Sequence, residues 1–353
     1  MPKYIAIDAG KSDTKFKSYD SDTKAIVRSK FRTKISPGTF EDDFFERGTF
    51  IAQIDENGPV YKIGHGGTEE PALETSKKSE IHRICTMAAA AIACGGPGTF
   101  NDVKIVIGVP LQICSIPEQR IDYKKYILGE PGEEHVVRIK TDCNGPVHEI
   151  RLTFSKELVY PEGVGVLYEY PKKLGGQTGI IDIGNLNTNN IYCDTFSVVP
   201  EDCFTDELGS RILLSNLASQ LTSELNMRVT DRMAESVLRF PVEKRHLVPW
   251  DENPEIIKKS GDLITQFLMD HARLIRQKCA TRHWPMDFMN LVCMGGTSKL
   301  LRNELTEVFG SHIFIPENPE YVNVDGFLRK MCADEGIDIG HASSAGEKKK
   351  ENS

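Results

Sequence analysis

Asp8, Gly10, Lys11, Ser12, Asp13 and Lys15 crowd into one short stretch, IAIDAGKSDTK, which begins at Ile5. A glycine turn lets backbone N–H groups come close to a phosphate chain, and the small polar side chains beside it add donors. Lys11 and Lys15 supply positive charge. Asp8, at the end of the strand, cannot bind phosphate itself, but a carboxylate there can hold the water shell of Mg²⁺. The triplet Gly10-Lys11-Ser12 also suggests the phosphate loop G-x-x-x-x-G-K-[ST]. That reading fails, because Ile5 occupies the place of the first glycine and the loop must open a helix. Instead Thr14, Phe16 and Ser18 alternate with Lys15, Lys17 and Tyr19, which is the period of a strand. The segment therefore reads as strand, tight turn, strand. On local grounds alone, an ordinary surface hairpin with solvated lysines explains it as well.

An internal echo separates the two readings. The stretch IIDIGNLNTNNIYC, Ile180 to Cys193, sets Asp182 on Asp8, Ile181 on Ile7, Gly184 on Gly10 and Thr188 on Thr14, at a separation of 174 residues. Each half thus carries an apolar strand, Asp, one residue, Gly, polar residues including Asn185 and Asn187, Thr, and a second strand. Such duplication half a chain apart is the mark of a repeated unit. Two hairpins of this type would clamp the β- and γ-phosphates of a nucleotide, with Asp8 and Asp182 at the metal.

Two further segments fit a nucleotide. LVCMGGTSKLLRNELTEVF, Leu291 to Phe309, reads as a strand, a turn at Gly295-Gly296-Thr297 and an amphipathic helix over 298–309. A Gly-Gly turn admits the flat ring or sugar of a nucleoside, although such turns also serve simple packing. In VYPEGVGVLYEY, Pro161 suits the first turn of a helix. Glu162 beside it serves either as a partner of the helix dipole or to orient a water for attack on a γ-phosphate.

The 353 residues are enough for two cores. With a net charge of −8 the surface as a whole repels nucleic acid, so DNA contact would need a local basic patch or a basic partner, and no direct specific DNA binding is expected. The nine cysteines contain no C-x-x-C pair and the nine histidines no H-E-x-x-H, so zinc and dithiol chemistry are not expected and free thiols in a reducing cytoplasm are. The chain passes directly into a strand, so no signal peptide is expected. No apolar run approaches the ~20 residues that span a bilayer. The end of the chain, from Gly336, is polar and is expected to be disordered.

Taken in order, IDAGKSDTK, VIGVPLQICSIPEQRIDYKKYI, VYPEGVGVLYEY, IDIGNLNTN, VCMGGTSKLL and YVNVDGFLRKM resemble the ParM-type plasmid segregation proteins of the actin-like ATPase superfamily, over roughly residues 3 to 332. The resemblance implies an α/β, actin-like two-domain fold, a pair of duplicated ribonuclease H-like domains with nucleotide in the interdomain cleft. Each domain would have a five-stranded mixed sheet. The first would span about 1–165 with the last helix, about 323–335, and the second 166–322, with 336–353 as a polar tail. Segments 30–75 and 226–260 would be the small subdomains. The resemblance also implies a bacterial, cytoplasmic NTPase that hydrolyses ATP or GTP with Mg²⁺. Its helical filament of self-associated subunits would engage a DNA-bound adaptor of the ParR type. Glu162 and Asp182 would be catalytic. Gly10, Lys11, Ser12, Asp13, Lys15, Gly184, Asn185, Asn187, Gly295, Gly296 and Thr297 would bind nucleotide, with Asp8 and Asp182 at the metal. Two departures stand out: Asn185 replaces the usual second Gly, and Asn189 replaces the usual Asp.

The pattern predicts strands near 3–8, 13–19, 103–109, 150–154, 179–183, 190–199 and 290–294, and helices near 80–94, 209–225, 255–281, 298–309 and 324–333. The alternatives within the superfamily are a sugar- or acetate-type kinase, for which no acceptor motif is evident, and another bacterial actin. A shape-determining actin would want a membrane anchor, and none is clear. A heat-shock chaperone would need a peptide-binding domain for which 353 residues leave no room.

Overall fold

The structure, a computed structural model, describes residues 2–42, 46–71, 77–249, 252–310 and 312–340. Residues 341–353 of the expected polar tail, and parts of both expected subdomains, lie outside the described residues. The chain divides into two compact units. One is built from Met1–Tyr170 and the segment that begins at Asn323, the other from Pro171–Val322.

The first unit opens with β1 (Lys3–Ala9), β2 (Asp13–Asp20), β3 (Ile26–Arg32), β4 (Ile35–Pro37), β5 (Thr49–Ile54) and β6 (Val60–Gly64). Then come α1 (Glu80–Cys94), β7 (Gly98–Val109), α2 (Leu111–Cys114), α3 (Pro117–Leu128), β8 (Glu134–Lys140), β9 (His148–Pro161) and α4 (Gly165–Glu169). The second unit contains β10 (Gln177–Ile183), β11 (Thr188–Asp194), β12 (Ser197–Val198), β13 (Phe204–Asp206), α5 (Ser210–Leu225), α6 (Asp231–Leu238) and α7 (Pro254–Thr281). It ends with β14 (Asn290–Met294), α8 (Gly296–Leu300), α9 (Arg302–Phe309) and β15 (Ile313–Phe314), after which α10 (Val322–Asp334) starts at the boundary and continues within the first unit.

The expected five-stranded sheets are larger. Among the described residues, the first unit holds nine strands in the order β3-β2-β1-β7-β9-β8-β5-β6-β4, and the second holds six, β12-β11-β10-β14-β15 with β13 beside β11. The cause is the 14-residue length of β9. It runs parallel to β7 as far as Val109 opposite Pro161, and its first half, His148 to Thr153, also pairs antiparallel with β8. The far side of β8 then accepts β5, so β5, β6 and β4 prolong one sheet.

β1 is buried along nearly its whole length, as a strand covered on both faces must be. α1 supplies part of that cover. Ala88, Ala89, Ala90 and Ala91 are all fully buried in the same core cluster as Ile5 and Ile7. The helix stops at Gly95, which is left-handed (φ 83°) and donates its N–H to the Ile92 carbonyl. In the second unit α7 begins with Pro254 after Asn253, whose side chain accepts from the Glu255 N–H. It buries Ile264, Leu268, Ala272, Ile275 and Cys279 along one stripe. Among the described residues no helix is long and apolar enough to cross a membrane.

Three local expectations change. The strand expected over 190–199 is interrupted at Thr195 and Phe196, whose positive φ values (47° and 67°) turn the chain between β11 and β12. The helix expected over 298–309 breaks at Leu301, and the Arg302 guanidinium anchors the start of α9 on the carbonyls of Ile315 and Pro316. Pro161 ends a strand and does not open a helix. Pairing with β7 reaches Val109, whose carbonyl accepts the Glu162 N–H at 2.8 Å, so the chain stays extended to that point.

α10 packs on α4 through glycines. A Cβ on Gly326 would lie 1.8 Å from the Gly165 carbonyl oxygen. Helix propensity alone would favour Gly326→Ala by about 1 kcal/mol, whereas a collision with backbone costs about 1–3 kcal/mol. We expect the variant to be the less stable, by a lower urea midpoint. A midpoint at or above that of the wild type would show that the two helices do not meet as closely as described.

Candidate functional site

The two echoed hairpins have the same backbone. In the first, Ala9 pairs with Thr14 across a four-residue turn, and the Gly10 N–H donates to the Asp13 carbonyl at 3.1 Å. In the second, Ile183 pairs with Thr188, and the Gly184 N–H donates to the Asn187 carbonyl at 2.9 Å. Close approach favours glycine at both turns: a Cβ would collide with Asp13 O at Gly10 (2.8 Å) and make a tight contact with Asn187 O at Gly184 (3.1 Å). β1 and β10 each take a parallel neighbour on the other side, β7 and β14. Asp8 and Asp182 therefore occupy equivalent ends of equivalent strands.

The bracing of the two turns differs. Thr33, just after β3, donates its hydroxyl to Gly10 O (2.7 Å) and its N–H to Ser12 O (3.0 Å), and its hydroxyl also meets that of Thr14. Arg32 donates to the Ser12 hydroxyl (2.7 Å) and lies 3.5 Å from Asp13. Ser12 and Asp13 are thus held by β3. In the second hairpin the start of α5 does this work. Ser210 N–H donates to Gly184 O, Arg211 N–H to Asn185 O, and the Ser210 hydroxyl to the Asn185 side chain. Thr297, expected beside the nucleoside, is buried and donates its hydroxyl to Gly184 O at 2.8 Å. Gly295 (φ 87°) lies so close to Asp182 that a Cβ would fall 2.5 Å from its Oδ1, whereas Gly296 faces open space. Asn189 sits opposite Asp182 in the strand register, and its side chain accepts from Thr205. The second unit thus gathers Asp182, Gly184, Asn185, Asn187, Gly295 and Thr297.

The first unit gathers charges beneath its hairpin. Asp8 is 5% exposed. Lys15 stands opposite it on β2, with Nζ 3.7 Å from one carboxylate oxygen, and Lys77 Nζ lies 3.9 Å from the other. Asn323, in the first turn of α10, donates to Asp8 and accepts from the Gly163 N–H. Burial works to raise the pKa of Asp8, but Lys15, Lys77 and the Asn323 bond outweigh it and hold the carboxyl below its ordinary range. Glu162, placed by the turn after β9, is also buried and accepts a hydrogen bond from Lys77 at 2.5 Å. Burial raises the Glu162 pKa, Lys77 opposes the rise and Asp8 adds to it, and the net shift is upward. Removing one member of such a buried pair costs about 3–5 kcal/mol.

Lys77, Asn323, Thr33 and Arg32 were not singled out by their sequence. Only Asn323 lay inside a recognised motif, as the polar residue two positions before Asp325. Lys17, on the face that alternation assigns with Lys15 and Tyr19, is buried against Asp325 at 2.8 Å. Lys11, at the turn, is partly exposed. Among the described residues no cluster of three or more His, Cys, Asp or Glu side chains could cage a metal. Mg²⁺ that keeps most of its waters needs no such cage, and an ionised Asp8 suits an acceptor for those waters.

Residues 6–165 match the family model for the actin like proteins N terminal domain. An archaeal actin homolog solved as a complex with ADP superposes with a TM-score of 0.68, over 94% of this chain and 99% of its own, at 19% identity. A ParM from Clostridium botulinum, determined as a 15-stranded filament, gives a TM-score of 0.67 over 94% of this chain and 99% of its own, at 20% identity. The protein Alp12, also determined as a filament, gives 0.69 over 95% and 99%, at 20% identity. No curated protein matches the sequence. Identities this low establish a common fold.

His82, on α1 near this cluster, reports its electrostatics. Burial first, then the charges of Lys77 and Lys11, push its pKa down to about 3. Between pH ~6.5 and ~3 the unfolded chain therefore binds a proton that the folded chain refuses, and stability falls as the pH drops through that window. At pH 5 this one group accounts for up to about 2 kcal/mol. Urea unfolding at pH 7 and pH 5 should show a smaller loss in His82→Gln than in the wild type. Equal losses would mean that His82 takes up a proton in the folded state.

Proposed function

Since residues 6–165 match the actin like proteins N terminal domain and 94% of the chain superposes on actin homologue structures, we propose that this protein is a nucleotide-dependent, filament-forming NTPase that segregates plasmid DNA. The observation that carries this reading is the pair of matched hairpins, each with a glycine turn two residues after a strand-end Asp. Each hairpin has a backbone turn suited to phosphate oxygens, and a nucleoside triphosphate, ATP or GTP, is the ligand that this chemistry fits. Lys11 and Lys15 supply charge to the phosphates. Asp8 and Asp182 hold the water shell of Mg²⁺, which screens the phosphate charge when bound. Gly295 and Gly296 leave room for the nucleoside, and Glu162 orients the hydrolytic water.

The γ-phosphate adds contacts that the diphosphate lacks, and a ligand shifts a conformational equilibrium only by such a difference in affinity. Triphosphate thereby favours the assembling state, and head-to-tail contacts that do not close into a ring grow as a helix. The filaments of the Clostridium botulinum ParM and of Alp12 support self-association as the output. The net charge of −8 supports a basic, DNA-bound adaptor of the ParR type as the link to the plasmid, in the cytoplasm of a bacterium.

High-speed pelleting with Mg²⁺ and triphosphate, without nucleotide, and after hydrolysis tests this reading. The protein should pellet in the first condition alone, and a protein that stays soluble in all three is no filament former. Glu162→Ala should still bind nucleotide and assemble but release phosphate about 10²–10⁴-fold more slowly, and wild-type turnover in that variant would remove Glu162 from the chemistry. In a mobility-shift assay at physiological salt, the protein alone should leave plasmid DNA unshifted. A tight, sequence-specific shift would contradict the adaptor.

A further inference from the structure

Lys77 has no part in the function set out above, yet its position is unusual. Its side chain is 9% exposed although it is a lysine, and its Nζ meets Glu162 Oε1 at 2.5 Å and Asp8 Oδ1 at 3.9 Å. Its backbone is left-handed, φ 53°, a conformation that a non-glycine residue keeps only where its surroundings hold it, and one often found at functional sites. Lys15, Asp8, Lys77 and Glu162 thus form a row of alternating charge, in which Lys77 lies within 4 Å of both the strand-end Asp and the Glu.

The Glu162 main chain is already pinned, by its N–H on the Val109 carbonyl and by the Gly163 N–H on Asn323. Its Cγ passes close to Gly108, where a Cβ would lie 3.4 Å away. What remains to be set is the carboxylate, and the ammonium of Lys77 is the group that meets it.

We propose that Lys77 is a positioning residue for hydrolysis. It holds Glu162 through Oε1, so that Oε2 is the oxygen left to orient the attacking water, and it fixes that oxygen relative to Asp8 under the first hairpin. The inference rests on the reading of Glu162 given above.

The test is steady-state hydrolysis of ATP and GTP with Mg²⁺ by the full chain, comparing wild type, Lys77→Met, Glu162→Gln and the double variant. Lys77→Met should lower kcat by about tenfold or more with KM little changed, as for a group that acts on the chemical step. In the Glu162→Gln background the same substitution should have no further effect on kcat, because residues that act through one another are not additive. Losses that multiply in the double variant, or a change confined to KM, would overturn the inference and leave the role of Glu162 standing. Wild-type kcat in Glu162→Gln would overturn both. Should Lys77→Met fail to fold, Lys77→Arg decides. Its planar fork displaces the carboxylate, so kcat should fall in the wild-type background and stay level in the Glu162→Gln background. A wild-type kcat, or a loss that persists without Glu162, would sink the proposal.

Discussion

A carboxylate buried at the end of β1 governs the first unit. Asp8 is 5% exposed, and a buried charge survives only if it is paired and hydrogen-bonded. The groups that meet this demand come from distant parts of the chain. Lys15 arrives because β2 folds back on β1 with Asp8 opposite Lys15. Asn323 arrives on α10, 315 residues away. Lys77 stands just ahead of α1 and ties in Glu162, 85 residues further along. The order β2-β1-β7-β9 is therefore a condition of the site: β7 separates β1 from β9, and its small Gly108 lets the side chains of Asp8 and Glu162 approach over it.

The two halves share backbone geometry more than side chains. Both turns are closed by a glycine N–H on the carbonyl three residues on, and both leave the following carbonyl groups to be satisfied, as buried backbone must be. The first half uses Thr33, just after β3, whose hydroxyl and N–H bond the Gly10 and Ser12 carbonyls, while Arg32 holds the Ser12 hydroxyl. The second uses the opening amides of a 16-residue helix and the hydroxyl of Thr297. A turn held from behind in this way is pre-organised, which spares a ligand the cost of ordering it. Asn185 is held the same way, its carbonyl by the Arg211 N–H and its side chain by the Ser210 hydroxyl.

Both hairpins, their glycines and the 174-residue repeat were legible in the sequence, because strand alternation and turn chemistry are local properties. The same holds for α1, whose bounds, 80–94, follow from its apolar run and the glycine after it. Other features were settled only in three dimensions. Sheet size in the first unit depended on β9 pairing with β8 as well as with β7, a long-range pairing with no local signature. Pro161 looked like the start of a helix, but the strand register opposite Val109 extended the chain past it. Lys17 entered the sequence reading only through strand alternation and Lys77 not at all, and each is buried on a carboxylate brought to it by the fold. Sequence alone therefore determined where the chain makes its two glycine turns. Which charges stand beneath the first of them was decided by the tertiary structure, because pairing a buried charge depends on distance in space and not on separation along the chain.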